Sequence, residues 1–151
     1  MKNMIAAFTA ILLLVSVNAI AVNKHAKMSP DAMRRYKAGL SVAAMTKNLQ
    51  FDFAKANLRP IYNERLTQLA KLLVEGNYPI ILRGHADAVG SRVPNWQLSQ
   101  KRADAIKDFL VSKGVSAAKI VTTPFGSTIP VASNRTAEGR QRNRRVEIRL
   151  S

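Results

Sequence analysis

Residues 84–105 read Gly-His-Ala-Asp-Ala-Val-Gly-Ser-Arg-Val-Pro-Asn-Trp-Gln-Leu-Ser-Gln-Lys-Arg-Ala-Asp-Ala. They follow Pro79-Ile80-Ile81-Leu82-Arg83, a short apolar run bounded by Pro79 and Gly84. A run of that length and setting predicts a buried strand. Gly90, Ser91 and Pro94 then mark His85 to Pro94 as a loop. Asn95 is placed to cap a helix that runs to Lys113, where Gly114 stops it. Strand, loop and helix in this order make an α/β unit, and loops after strand ends are where such sheets hold ligands.

The helix carries one residue out of character. At 100° per residue, Leu98, Arg102, Ile106 and Phe109 fall within about 80° of one another. Arg102 therefore lies in the apolar stripe. A guanidinium keeps its charge when buried, so it needs an anion there. Asp87, in the preceding loop, supplies one candidate. Two arrangements satisfy both residues. One is an internal salt bridge tying loop to helix. The other is a clamp in which Arg102 takes a ligand carboxylate and Asp87 a ligand ammonium.

The neighbouring segments extend the pattern. Arg59-Pro60 opens a helix with Tyr62, Leu66, Leu69, Ala70 and Leu73 on one face, closed by Gly76. Lys119 to Thr123 is rich in β-branched residues and predicts a strand. Pro124 to Asn143 predicts a long loop. Arg145 to Leu150 alternates Val146, Ile148 and Leu150 with charged residues, as a half-buried strand does. Leu49 to Phe53 predicts a further short extended piece. Helices alternating with short strands imply a two-layer α/β sandwich with the helices packed on one sheet face. Residues 22–48 form a lead-in. Ser29-Pro30-Asp31 starts a short helix that Gly39 ends, and Leu40 to Met45 is a candidate strand.

The chain has 151 residues, 47% of them hydrophobic, which is enough for a core. Its formal net charge is +15, which favours a polyanionic partner unless the charge is simply a solvated surface. There is no cysteine, and His25 and His85 are the only histidines. Disulfides, thiolate chemistry, cysteine-bound zinc and a lipid-modified cysteine are all excluded. No cofactor or metal is expected. Met4 to Val17 is nearly all apolar after Lys2, and Ala19-Ile20-Ala21 follows the small-x-small pattern. Residues 1–21 thus read as a secretory signal peptide cleaved after Ala21, and the competing reading is a retained membrane anchor. Either one exports the rest of the chain, which argues against nucleic acid as the partner.

Four motifs in order carry a family resemblance. Phe51-Asp52-Phe53-Ala54-Lys55-Ala56-Asn57-Leu58 is similar to an F-x-F-x-K-x-x-L opening. Gly84-His85-Ala86-Asp87-Ala88-Val89-Gly90-Ser91 resembles a G-H-T-D-x-x-G-S loop. Asn95 to Ala103 matches N-x-x-L-S-x-x-R-A, and Gly139 to Ile148 matches G-R-x-x-N-R-R-V-E-I. Residues 49–151 therefore resemble the OmpA-like peptidoglycan-binding domains, the family of the C-terminal domains of OmpA, the peptidoglycan-associated lipoprotein and MotB.

The resemblance implies a small mixed sheet in a βαβαβ-type domain. It also implies non-catalytic binding of peptidoglycan through meso-diaminopimelate, in the periplasm or at the outer membrane of a Gram-negative envelope. It places the diaminopimelate-binding pair on Asp87 and Arg102. Asn95 and Leu98 fall on positions that line the site, with a helix cap and a core contact as their plain alternatives. Arg145 falls on the arginine of the last strand, whose plain alternative is an exposed charge. Ala86 replaces the usual threonine, and Ala54 stands where some relatives carry a polar residue. Six arginines against two glutamates between Asn134 and Ser151 leave a basic run that is either a solvated face or a surface for anionic polymer or lipid. No set of nucleophile, base and orienting acid is spaced for catalysis.

Overall fold

The computed structural model describes residues 28–151. The expected signal peptide and its cleavage point lie outside the described residues. The first helix, α1 (Pro30–Met45), begins as its sequence predicts: the Ser29 Oγ accepts from the Ala32 N–H at 3.2 Å, with Pro30 at the first position and Asp31 in the first turn. It does not end at Gly39, and the strand expected over Leu40 to Met45 is its second half. A glycine inside a helix costs about 1 kcal/mol. Here Ala38 and Val42, four residues apart on one face, are both buried against the rest of the domain, and that packing carries the helix through.

A 3-10 turn at Pro60–Tyr62 leads into α2 (Asn63–Gly76). This helix ends on Asn77, which takes the left-handed conformation (φ 54°), while the Tyr78 N–H returns to the Leu73 carbonyl at 3.1 Å. Such a terminus satisfies carbonyls the helix leaves unpaired. The elements β1 (Ile80–Gly84), α3 (Arg92–Ser112), β2 (Ile120–Pro124), α4 (Ala137–Asn143) and β3 (Val146–Leu150) follow. The sheet runs β2-β1-β3, with β1 parallel to β2 and antiparallel to β3, so that Leu82 stands opposite both Thr122 and Ile148. Leu49 to Phe53 contributes one bridge rather than a strand, Gln50 to Arg145.

Ile80, Leu82, Val146 and Ile148 face one way and are buried under Leu66, Leu69 and Leu73 of α2 and Ile106 and Leu110 of α3. Each such side chain contributes about 1.5–3 kcal/mol by leaving water. The expected two-layer α/β sandwich with a mixed sheet is the architecture found. The intervening positions Arg83, Val121, Glu147 and Arg149 lie on the sheet's other face, where Val121 and Arg149 are exposed.

Two local features position the site. A Cβ at Gly84 would fall 1.9 Å from the backbone oxygen of Ser99. The absence of a side chain there lets the end of β1 rest directly on α3. The long loop predicted over Pro124 to Asn143 is instead closed by α4, capped by the Thr136 Oγ1 accepting from the Gly139 N–H at 3.0 Å. Asn143, fully buried, accepts from the Val131 and Ala132 N–H groups at 2.8 and 3.0 Å and donates to the Ala132 carbonyl at 2.9 Å. A single amide thus folds the loop onto the start of β3.

Candidate functional site

Past Gly84 the chain leaves the sheet in a loop over α3. The Asp87 Oδ1 accepts from the Val89 N–H at 2.9 Å, and its Oδ2 accepts from the Arg144 Nη1 at 2.7 Å. Both side chains of this pair are close to fully buried. Arg144 is held from behind: its Nε donates to the Phe51 carbonyl at 3.2 Å and its Nη2 to Gln141. Asn95 does not cap α3, because the helix has already begun at Arg92. Its Nδ2 donates to the carbonyls of Asp87 (3.2 Å) and Val89 (3.0 Å) and so closes the loop from beneath. From the other side, the Asn134 Oδ1 accepts from the Ala88 N–H at 3.1 Å and from Asn143 at 2.8 Å.

Arg102 is completely buried, as its place in the apolar stripe requires. The anion expected beside it is absent: no ion pair joins Arg102 to Asp87 among the described residues. Three backbone carbonyls meet the guanidinium instead. Its Nε donates to Lys55 at 2.9 Å, Nη1 to His85 at 2.9 Å and Nη2 to Asp52 at 3.1 Å, over the ring of Phe51. Carbonyl dipoles can replace a carboxylate here because a guanidinium spreads its charge over five donors in one plane. The Asp52 and Lys55 carbonyls are presented by a turn in which Ala54 adopts φ 56°, in the left-handed region. Burial lowers the Arg102 pKa to about 10, Asp87 opposing the shift and Arg144 adding to it, so the group remains cationic at neutral pH. Two of its five hydrogens have no partner among the described residues.

These residues enclose a cleft of about 180 Å³. Asp87, Asn95, Leu98 and Arg102 all line it, together with Ala54 and Ala86 at the two departures from the family pattern, and Phe53 and Arg144. Two guanidiniums and one carboxylate give the cleft groups of both signs, with one positive charge in excess.

Arg145 is not part of this cleft. Its side chain turns to the opposite sheet face and grips Glu147 at 2.6 and 3.0 Å. Its neighbour Arg144 stands at the site instead. Strand parity carries this signal, since Arg144 shares its side with Val146, Ile148 and Leu150, and consecutive residues alternate. His85 is buried on the Arg145 side, stacked on Phe125 at 5.3 Å, and neither ring nitrogen has a hydrogen-bond partner among the described residues. Burial first, and then the charge of Arg145, push its pKa down to about 4, with Glu147 opposing and Arg83 and Arg149 adding.

Comparison with known proteins identifies the family and the fold. The model of the OmpA family matches residues 50–144. The chain is 43% identical over 110 residues to the probable lipoprotein YiaD of Escherichia coli, covering 71% of this chain and 49% of that one. It is 43% identical over 94 residues to the peptidoglycan-binding protein ArfA of Mycobacterium tuberculosis, covering 62% and 29%. The crystal structure of the peptidoglycan-associated lipoprotein from Burkholderia pseudomallei superposes with a TM-score of 0.66 at 29% identity, covering 68% of this chain and 88% of that one. The chain thus spans about half the length of YiaD and under a third of ArfA.

Proposed function

We propose, for a chain that belongs to the OmpA family, that it binds peptidoglycan without catalysis and ties the cell envelope to the wall. The relatives' names support this reading: one is a peptidoglycan-binding protein and another a peptidoglycan-associated lipoprotein. The observation that carries it is the cleft in which Asp87 faces two guanidiniums, Arg102 and Arg144.

The peptide stem offers a matching group. The distal centre of meso-diaminopimelate carries an ammonium and a carboxylate on one carbon. Asp87 takes the ammonium on the lone pairs that Arg144 and Val89 leave open. The carboxylate lies against the uncommitted hydrogens of Arg102 and the fork of Arg144. Asn95 keeps the loop at the height this requires, and Leu98 forms an apolar wall. Ala54 and Ala86 add no hydroxyl, so charge-assisted bonds provide the recognition. The exported location, in the periplasm or at the outer membrane, belongs to the same proposal. So does the cleavage of residues 1–21.

Sedimentation with purified diaminopimelate-type sacculi tests it, comparing wild type with Asp87→Asn and with Lys101→Gln on the exposed side of α3. Binding lost in the first variant and kept in the second is the expected result. Equal binding by all three folded proteins overturns the clamp. Equal loss in all three on raising the salt concentration points instead to a general cationic effect.

A further inference from the structure

The basic run of residues 134–151 is not one solvated face. Arg140 donates to the carbonyls of Asn134 and Arg135 at 3.0 and 3.2 Å, Arg144 is held by Asp87, and Arg145 by Glu147. Arg135, Arg142 and Arg149 are left over, Arg135 at the open surface. Arg142 has no partner for its guanidinium among the described residues. Arg149 is largely exposed, and among the described residues its guanidinium meets one partner, the Glu147 Oε2 at 3.3 Å.

Both line a second cleft, of about 310 Å³, between the end of α1 and the sheet face that carries Glu147. Lys47 lines the same cleft, and its ammonium is also without a partner among the described residues. Arg145 and Glu147 complete the charged lining. Four cations against one carboxylate leave an excess of three positive charges. Glu147 cannot offset more, since Arg83 (3.6 Å), Arg145 and Arg149 already share it.

We propose that this cleft is a binding site for a phosphate group. Phosphate sets its oxygens tetrahedrally around one centre and carries one negative charge as a diester and up to two as the free ion, so it can engage the forks of Arg142 and Arg149 and the Lys47 ammonium together. A single carboxylate, planar and with two oxygens, matches one fork but not three cations set around a cleft. The site is independent of the Asp87 cleft, because Arg144 and Arg145, adjacent in sequence, point to opposite faces. The group comes either as the free ion or as the phosphodiester of a lipid headgroup.

Amide chemical shifts of the full chain, titrated at constant ionic strength with inorganic phosphate and separately with glycerophosphoglycerol, test the proposal. Saturable shifts are expected at Lys47, Gln50, Arg142 and Arg149. The pair Lys47→Gln and Arg142→Gln lowers affinity roughly tenfold or more, and the control pair Lys101→Gln and Lys113→Gln leaves it unchanged. Saturation by the diester alone identifies a headgroup, and saturation by the inorganic ion alone identifies the free ion. Shifts that never saturate, that chloride reproduces, or that the control pair weakens equally overturn it. All four substituted side chains lie at the surface, and unchanged shifts in the core confirm that each variant is folded.

Discussion

The carboxylate of Asp87 and the guanidinium of Arg144 meet at 2.7 Å across 57 residues of sequence, nearly sealed from water. Removing one member strands the other. Asp87→Asn is expected to destabilise the domain by about 2–4 kcal/mol, since an uncompensated buried charge is what breaking such a pair leaves. Adding Arg144→Gln should recover part of that loss, and a double-mutant cycle in urea reads the coupling directly. Additive losses would mean the pair is not coupled.

Arg102 holds three carbonyls with one plane of donors. Arg102→Lys keeps the charge but not the fork, and should still cost roughly 2–4 kcal/mol, because hydrogen bonds to a charged group contribute about 1.5–3 kcal/mol each. Amide exchange should quicken first at residues 52–55, which the guanidinium pins. A uniform acceleration across the domain would contradict that local role.

Ala54 occupies a left-handed conformation at φ 56°. A side chain there costs about 1–2 kcal/mol, which glycine avoids. Ala54→Gly should therefore raise stability by about 1 kcal/mol after the added chain entropy is counted, seen as a higher Tm. Ala54→Val should lower it.

His85 gives the domain an acid limb. Its pKa is about 4 in the folded state against 6.5 when exposed. The unfolded chain thus binds the proton more tightly between these values. The stabilisation is fully present above pH 6.5 and is lost as pH falls toward 4, by up to about 3 kcal/mol. His85→Phe, which keeps the stack on Phe125, should flatten the stability profile across that window. Parallel profiles for the two proteins would exclude His85 as the source.

The parts of this molecule legible in its sequence are those set by short-range pattern. β1, α3 and β3 announce themselves through apolar runs and alternation, and Arg102 betrays its burial by its place on the helical wheel. What the wheel cannot show is the partner. The Lys55, His85 and Asp52 carbonyls belong to other segments, and backbone groups carry no sequence signature. Local propensity favours a helix end at Gly39, but the packing of Ala38 and Val42 overrides it. The helix α4 has seven residues and no apolar stripe, so nothing periodic distinguishes it from loop. Motif matching alone assigns Arg145 to the site, although strand parity points to Arg144.

Gly84 fixes the distance between strand and helix. With the Ser99 oxygen 1.9 Å from where a Cβ would lie, Gly84→Ala must push α3 off the sheet, at an expected cost of about 3 kcal/mol or more. Thermal unfolding measures it. Loss of sacculus binding without loss of Tm would instead indicate a displaced Asp87 loop in an intact core.

The long span between Asp87 and Arg144 also governs when the cleft comes into being. A chain is made from its N-terminus, so the loop, α3 and the parallel pair β1–β2 are all available well before Arg144 is. Until then the Asp87 carboxylate lacks the cation it pairs with directly, and the loop lacks the brace that Asn143 and Asn134 bring to Ala88. A half-made domain therefore lacks the finished cleft. The cleft is complete only when α4 and β3 dock, so its closure is itself a report that folding has finished.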